Sequence, residues 1–126
     1  MNTSSTPIDA GVYRERLQQA KRVMAALSEE ERVNNFDITR YAVDSAHGVI
    51  GCIGGLCGLD PWFQERGFVT TVGCDMGSVS IEPHDFFGTG TPFFPSNYLP
   101  KTTVTVEDAL VALDEAIKLF SEGDQT

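Results

Sequence analysis

The chain has very few basic side chains after residue 40. Residues 1–40 carry six acidic and six basic side chains, whereas residues 41–126 carry twelve acidic side chains and only three basic ones, Arg66, Lys101 and Lys118. The net charge of −9 therefore arises entirely in the second part of the chain. Nucleic-acid binding without sequence preference depends on Lys and Arg that neutralise phosphates. The charge argues against direct nucleic-acid binding and favours basic partners or metal ions, although many proteins are acidic for solubility alone.

No apolar run is long enough to cross a membrane. The longest, residues 48–59, contains five glycines in twelve residues, whereas a membrane-spanning helix needs about 20 apolar residues. The first seven residues, M-N-T-S-S-T-P, have neither the basic nor the apolar region of a signal peptide. We therefore expect a flexible leader at residues 1–7, a single domain at residues 8–126 and a cytoplasmic location.

Cysteine and histidine are scarce, with three and two copies. An odd number of cysteines without an export signal favours reduced thiols over a disulfide framework. Structural zinc sites usually present tightly spaced pairs of Cys or His, and no such pair occurs here, so we predict no metal, no cofactor and no catalytic residue. The five residues follow one another at intervals of 5, 5, 17 and 10: His47, Cys52, Cys57, Cys74 and His84.

Two interpretations of these residues remain open. Buried cysteines that act as small apolar side chains explain the pattern without any chemistry. The alternative is a small thiol- or metal-dependent enzyme that uses Cys52, Cys74 and His84, since a thiol, an imidazole and nearby carboxylates are the groups of nucleophilic catalysis.

Amphipathic helices are predicted at both ends of the domain. Apolar side chains recur at intervals of four and three residues from residue 9 to about residue 32, and again after Thr105, which places each set on one helix face. Thr105 and Asp108 resemble a capping box, and Gly123 is a natural C-cap. The two apolar sets are Tyr13, Leu17, Ala20, Met24 and Leu27, then Val106, Leu110, Leu113, Ile117 and Phe120.

Residues 42–59 are predicted to form a buried central helix. Small and apolar side chains dominate this segment, so other elements have to cover all of its faces. Its five glycines lower helix propensity by about 1 kcal/mol each, and close backbone packing has to offset that cost. The dipeptide Asp60-Pro61 then ends the helix.

The remaining segments predict one hairpin and an irregular aromatic stretch. Two β-branched runs, residues 67–73 and 78–81, flank a turn that contains Asp and Gly. The aromatic side chains between residues 86 and 98 are expected mostly to complete the core. The predicted fold is a small α+β domain with a buried Gly-rich central helix, N- and C-terminal amphipathic helices and a short β-hairpin.

Five short motifs occur in order across residues 34–120. They are N-F-D-I at residues 35–38, H-G-V-I-G-C-I-G-G at 47–55, F-F-G at 86–88, F-F-P at 93–95 and T-V-E-D-A-L at 105–110. In this order they resemble a group of small uncharacterised bacterial and phage-encoded proteins with the pattern F-D-M, C-G-T-x-x-C-I-A-G, F-F-G, L-F-P and T-P-E-x-A. The chain has H-G-V at 47–49 where that group has C-G-T, and it lacks the tryptophan that commonly precedes the glycine motif. The resemblance implies a phage or mobile-element setting and no particular reaction.

The acidic charge and the phage setting implied by the resemblance together favour one function. Small acidic phage proteins often occlude a basic surface of a host complex. We therefore expect a non-enzymatic nucleic-acid mimic that binds and inhibits a basic, nucleic-acid-handling host complex such as a CRISPR-type defence nuclease. A homodimerising structural module, joined through a partly exposed aromatic loop, is a further alternative. The candidate contact residues are Asp60, Glu65, Asp75, Glu82, Asp85, Asp108, Asp114 and Glu115.

Overall fold

A computed structural model describes residues 10–46, 48–74, 76–99, 101 and 103–123. The predicted leader, residues 1–7, lies outside these residues. The elements form an α+β fold of helices and two small antiparallel hairpins, which confirms the predicted fold class. In chain order they are α1 (Ala10–Ala25), α2 (Glu29–Asn34), β1 (Val43–Ser45), β2 (Gly48–Ile50), α3 (Ile53–Cys57), α4 (Pro61–Gln64), β3 (Thr70–Thr71), β4 (Ser78–Val79), α5 (Pro83–Phe87), a 3₁₀-helix (Pro95–Tyr98) and α6 (Val106–Gly123).

The two amphipathic helices, α1 and α6, pack against each other in antiparallel orientation. Near the start of α1 the ring of Tyr13 lies 5.3 Å from the ring of Phe120, between centroids. Further along, Lys21 Nζ lies 2.7 Å from Asp114 Oδ1. Burying a large apolar side chain contributes about 1.5–3 kcal/mol, so the apolar seam outweighs this exposed ion pair. The fully buried members of the seam are Leu17, Ala20, Met24, Val106, Ala109 and Leu113.

The central helix is buried but shorter than predicted. Helix α3 begins at Ile53 and ends at Cys57, and residues 43–50 form the hairpin β1–β2 with Val43 opposite Ile50. Val43, Val49 and Ile50 are β-branched, which favours strands. Gly48 has a φ of +97°, a backbone conformation that side chains other than glycine rarely adopt. The first half of the segment is therefore a hairpin.

The glycines of α3 let the helix lie against two neighbouring backbone segments. A Cβ atom at Gly55 would overlap with the carbonyl oxygen of Tyr41, and one at Gly58 would overlap with the side chain of Thr70. The hydroxyl of Thr70 donates a hydrogen bond of 2.7 Å to Gly55 O. These contacts hold α3 between the residues that precede β1 and strand β3.

The hairpin predicted around residues 67–81 is confirmed, with Thr70 opposite Val79. The aromatic side chains that follow it join those of residues 62–68 in one cluster, in which the rings of Phe87 and Phe93 stack at 4.3 Å between centroids. Phe63 lies 5.9 Å from Phe86, between ring centroids. Phe94 and Tyr98 pack against this core and are only partly buried. The fully or almost fully buried rings are Phe63, Phe68, Phe86, Phe87 and Phe93.

The Gly55→Ala variant should lose about 3 kcal/mol or more of unfolding free energy, because the added methyl group meets backbone that cannot move aside. The matched control is Gly54→Ala in the same helix, where the new Cβ would lie 3.4 Å from Pro83 Cγ, an ordinary contact. That variant should stay within about 1 kcal/mol of the parent, since alanine favours a helix. Urea denaturation measures the unfolding free energy of both variants. An equal decrease in the two would contradict the close packing at Gly55.

Candidate functional site

The structure describes seven of the eight carboxylates predicted to contact a partner, and Asp75 lies outside the described residues. Three of the seven make local contacts that stabilise the fold. Asp60 is the N-cap of α4, where its Oδ2 accepts a hydrogen bond of 3.1 Å from Trp62 N. Asp114 pairs with Lys21 on the seam between α1 and α6. These two carboxylates are therefore engaged in contacts within the fold.

Asp108 is the third carboxylate with a local contact. It forms the predicted capping arrangement with Thr105, in which Thr105 N donates to Asp108 Oδ2 at 3.0 Å and Asp108 N donates to Thr105 Oγ1 at 3.2 Å. Lys101 Nζ lies 3.2 Å from its other oxygen. The backbone hydrogen bond from Thr105 is the main cause that lowers the pKa of Asp108. This carboxylate begins α6.

The other four carboxylates, Glu65, Glu82, Asp85 and Glu115, are exposed. Glu82 and Glu115 make no ion pair with any cation in the described ranges. Glu82 occupies the N-cap position of α5 without a side-chain cap bond, and Asp85 follows three residues later in the first turn. The start of α5 therefore carries two exposed carboxylates.

Helices α4 and α5 are neighbours, because Phe63 of α4 packs against both Phe86 and Phe87 of α5. Glu65 follows α4 directly, whereas Glu82 and Asp85 lie at the start of the neighbouring helix α5. We refer to Glu65, Glu82 and Asp85 as the α4–α5 acidic surface. Glu115 projects from α6, on a different element.

Two arginines cover aromatic rings of the same two helices. Arg16 Cζ lies 4.0 Å from the centre of the Phe86 ring, and its Nη1 donates a hydrogen bond of 2.8 Å to Phe86 O. Arg66 Cζ lies 3.7 Å from the centre of the Trp62 ring, and its Nη1 is 3.8 Å from Glu65 Oε1. Glu65 is thus partly neutralised, and Glu82 and Asp85 carry most of the negative charge of the acidic surface.

Two of the three thiols are buried, and Cys74 is exposed. Burial raises the pKa of Cys52, and it raises the pKa of Cys57 well above its ordinary value. Cys52 Sγ accepts a weak hydrogen bond of 3.5 Å from Gly55 N at the start of α3. Both buried thiols are therefore neutral near pH 7 and serve as small apolar side chains, because thiolate is the reactive form.

The other members of the Cys and His set are Cys74, which is exposed, and the two histidines. His84 is exposed, with Nδ1 3.8 Å from Asp85 Oδ1, and His47 lies outside the described residues. Within the described ranges, no group of three or more His, Cys, Asp or Glu side chains is arranged to hold a metal ion.

An apolar cavity of about 190 Å³ lies between residues 38–41, Cys52, Met76 and residues 93–95. The sequence motifs did not predict it, because its walls come from four segments that are distant in the chain. Among the described residues, no helix is long and apolar enough to cross a membrane.

Comparison of the chain with protein-family models, with curated proteins and with solved structures found no match. The candidate surface therefore rests on the geometry given above.

In the native protein, a small alkylating reagent such as iodoacetamide should modify Cys74 fastest, because Cys57 is fully buried and Cys52 is only 3% exposed, and burial raises the pKa of both, so they remain protonated. Peptide mass spectrometry after a timed reaction identifies the modified residues. In denaturant all three thiols should react. Rapid modification of Cys52 in the native protein would contradict its placement in the core.

Stability should fall at alkaline pH. Burial raises the pKa of both Cys52 and Cys57 in the folded protein, so the unfolded chain releases these thiol protons first, above about pH 8.5. The unfolding free energy is therefore unaffected by these groups below that pH and declines above it, by at most about 1.4 kcal/mol per pH unit for each thiol. Urea denaturation from pH 7 to pH 10 measures the slope. The Cys57→Ala variant should have a shallower slope, and an unchanged slope would contradict this assignment.

Proposed function

We propose that this protein is a cytoplasmic, non-enzymatic interaction protein, encoded by a phage or mobile element, that binds and inhibits a basic, nucleic-acid-handling protein complex such as a CRISPR-type defence nuclease. The single observation that carries the proposal is the location of the charge. All of the net charge of −9 arises after residue 40, and Glu82 and Asp85 are exposed at the start of α5, one at its N-cap and the other in its first turn.

Charge of this sign supports a binding role by mimicry of nucleic acid. A surface that normally holds phosphates presents Lys and Arg, and the carboxylates of the α4–α5 acidic surface attract such groups as phosphates do. Binding then blocks the nucleic-acid site directly, without chemical turnover.

The aromatic cluster beneath the acidic surface supports the same role. Phe63 and Phe86 join α4 to α5, and the Arg16 guanidinium packs on the outer face of Phe86. The backbone that carries the carboxylates is therefore held in place before a partner arrives, which lowers the ordering cost of association.

The burial of Cys52 favours this proposal over the thiol-dependent enzyme. A catalytic thiol has to reach its substrate as thiolate, and Cys52 is 3% exposed with a pKa raised by burial. The thiol is therefore protonated near neutral pH, and thiolate is the reactive form.

The first test is affinity capture of the tagged protein from a bacterial lysate at about 50 mM and about 500 mM salt, since salt at the higher concentration screens exposed charges. We expect recovery of a basic nucleic-acid-binding complex at low salt and its loss at high salt, identified by mass spectrometry. A nuclease assay with the recovered complex then measures inhibition. Recovery only of partners that are neither basic nor nucleic-acid-binding would contradict the proposal.

Once the partner is identified, the double variant Glu82→Gln and Asp85→Asn should lower the association rate constant about tenfold or more. It should also make that rate less dependent on salt, because these charges attract the partner during association. The matched control is Glu29→Gln with Glu30→Gln, which removes two exposed carboxylates from α2. Stopped-flow or surface plasmon resonance measures the rates. An equal loss in the control would mean that only total charge matters, and a rate independent of salt in the parent would contradict electrostatic binding.

A further inference from the structure

The apolar cavity has walls from four separate segments, and backbone hydrogen bonds hold these segments together. Cys52 N donates to Arg40 O at 2.8 Å, which places the N-terminus of α3 beside the residues before β1. The amides of Tyr41 and Ala42 both donate to Met76 O at 2.9 Å, which holds the turn of the second hairpin over Tyr41. The cavity is thus formed by the fold itself, as small-molecule sites usually are.

The aromatic wall of the cavity belongs to the core. Phe93 is 2% exposed and stacks on Phe87, and Phe94 beside it is only partly buried. The hydroxyl of Tyr98 donates a hydrogen bond of 2.6 Å to Pro92 O, which fixes the chain on both sides of these two rings.

The groups that line the cavity favour an aromatic ring. Tyr41, Phe93 and Phe94 supply rings, and Cys52 and Met76 supply sulfur. Rings pack well against other rings in offset or edge-to-face geometry, and sulfur atoms make favourable contacts with them. The volume of about 190 Å³ is similar to that of apolar cavities of about 150 Å³ that bind benzene. One ring with a small substituent therefore fits.

Arg40 is one of the residues that line the cavity, and it is the one among them with a charged side chain. Its side chain is 49% exposed and its Nε lies 3.7 Å from Asp37 Oδ2, a weak pair that leaves other guanidinium donors free for a ligand. The planar guanidinium matches the two oxygens of a carboxylate. Two negative charges also lie near: Asp37 itself, and Glu82, which interacts electrostatically with Tyr41.

We propose that this cavity is a binding site for a small aromatic carboxylate, with the ring between the aromatic and sulfur side chains and the carboxylate on Arg40. The site is independent of the proposed function, because binding of the ligand requires no partner protein.

The test compares benzoate with benzylamine, two probes of similar size and opposite charge, by titration of the ¹⁵N-labelled protein followed by NMR. The net charge of −9 by itself favours the cationic probe. We expect the reverse, with benzoate binding about tenfold more tightly, because its carboxylate meets Arg40. The amide signals that shift should belong to residues 38–41, Cys52, Met76 and residues 93–94.

The Arg40→Gln variant should weaken benzoate about tenfold and leave benzylamine unchanged or slightly stronger. Arg22→Gln is the matched control, because it removes the same charge from an exposed guanidinium on α1 that does not line the cavity. Both side chains are exposed, so both variants should give the amide spectrum of a folded protein.

Three results would overturn the proposal. The first is the absence of saturable shifts with benzoate up to about 10 mM. The second is a set of shifts at residues outside the cavity, and the third is tighter binding of benzylamine than of benzoate. An equal loss of benzoate affinity in both arginine variants would overturn the role of Arg40, since it would assign the preference to net charge.

Discussion

Helix α3 lies so close to the backbone at Tyr41 and to Thr70 that a side chain at Gly55 or Gly58 would overlap with them. This close approach links α3 to the segment before β1 and to strand β3. The residues before β1 and strand β3 both contact α3, and Cys52 at its N-cap is fixed through Arg40 O. The glycines lower the helix propensity of α3, and the burial of all its residues except the partly exposed Leu56 offsets that cost. A helix of only five residues is stable here through tertiary contacts.

The aromatic cluster extends this arrangement towards the surface. Phe63 and Phe86 connect α4 with α5, and exposed carboxylates lie at the end of α4 and at the start of α5. The same core forms the inner wall of the apolar cavity through Phe93. The acidic surface and the cavity thus share one packed interior.

Sequence periodicity predicted the elements whose structure depends on local pattern. Helices α1 and α6 follow the apolar stripes, and the capping arrangement of Thr105 with Asp108 has the predicted hydrogen bonds. The helix predicted over residues 42–59 was too long, because a short run of small apolar residues fits a strand as well as a helix, and the strands that replace its first half are only partly buried. The turn at Gly48, with its positive φ, separates the two. The hairpin β1–β2 depends on pairing that periodicity alone does not show.

The sequence by itself determined the sign and the place of the charge, the two amphipathic helices and the scarcity of metal ligands, since these depend on composition and on spacing along the chain. Only the tertiary structure decided which carboxylates are available. Asp60 and Asp114 are used by the fold, whereas Glu82 and Asp85 stand free of any arginine or lysine in the described residues. The tertiary structure also formed the cavity beside Arg40. The availability of the carboxylates and the formation of the cavity both depend on contacts between segments that are distant in the chain. The local sequence of one segment does not specify such contacts.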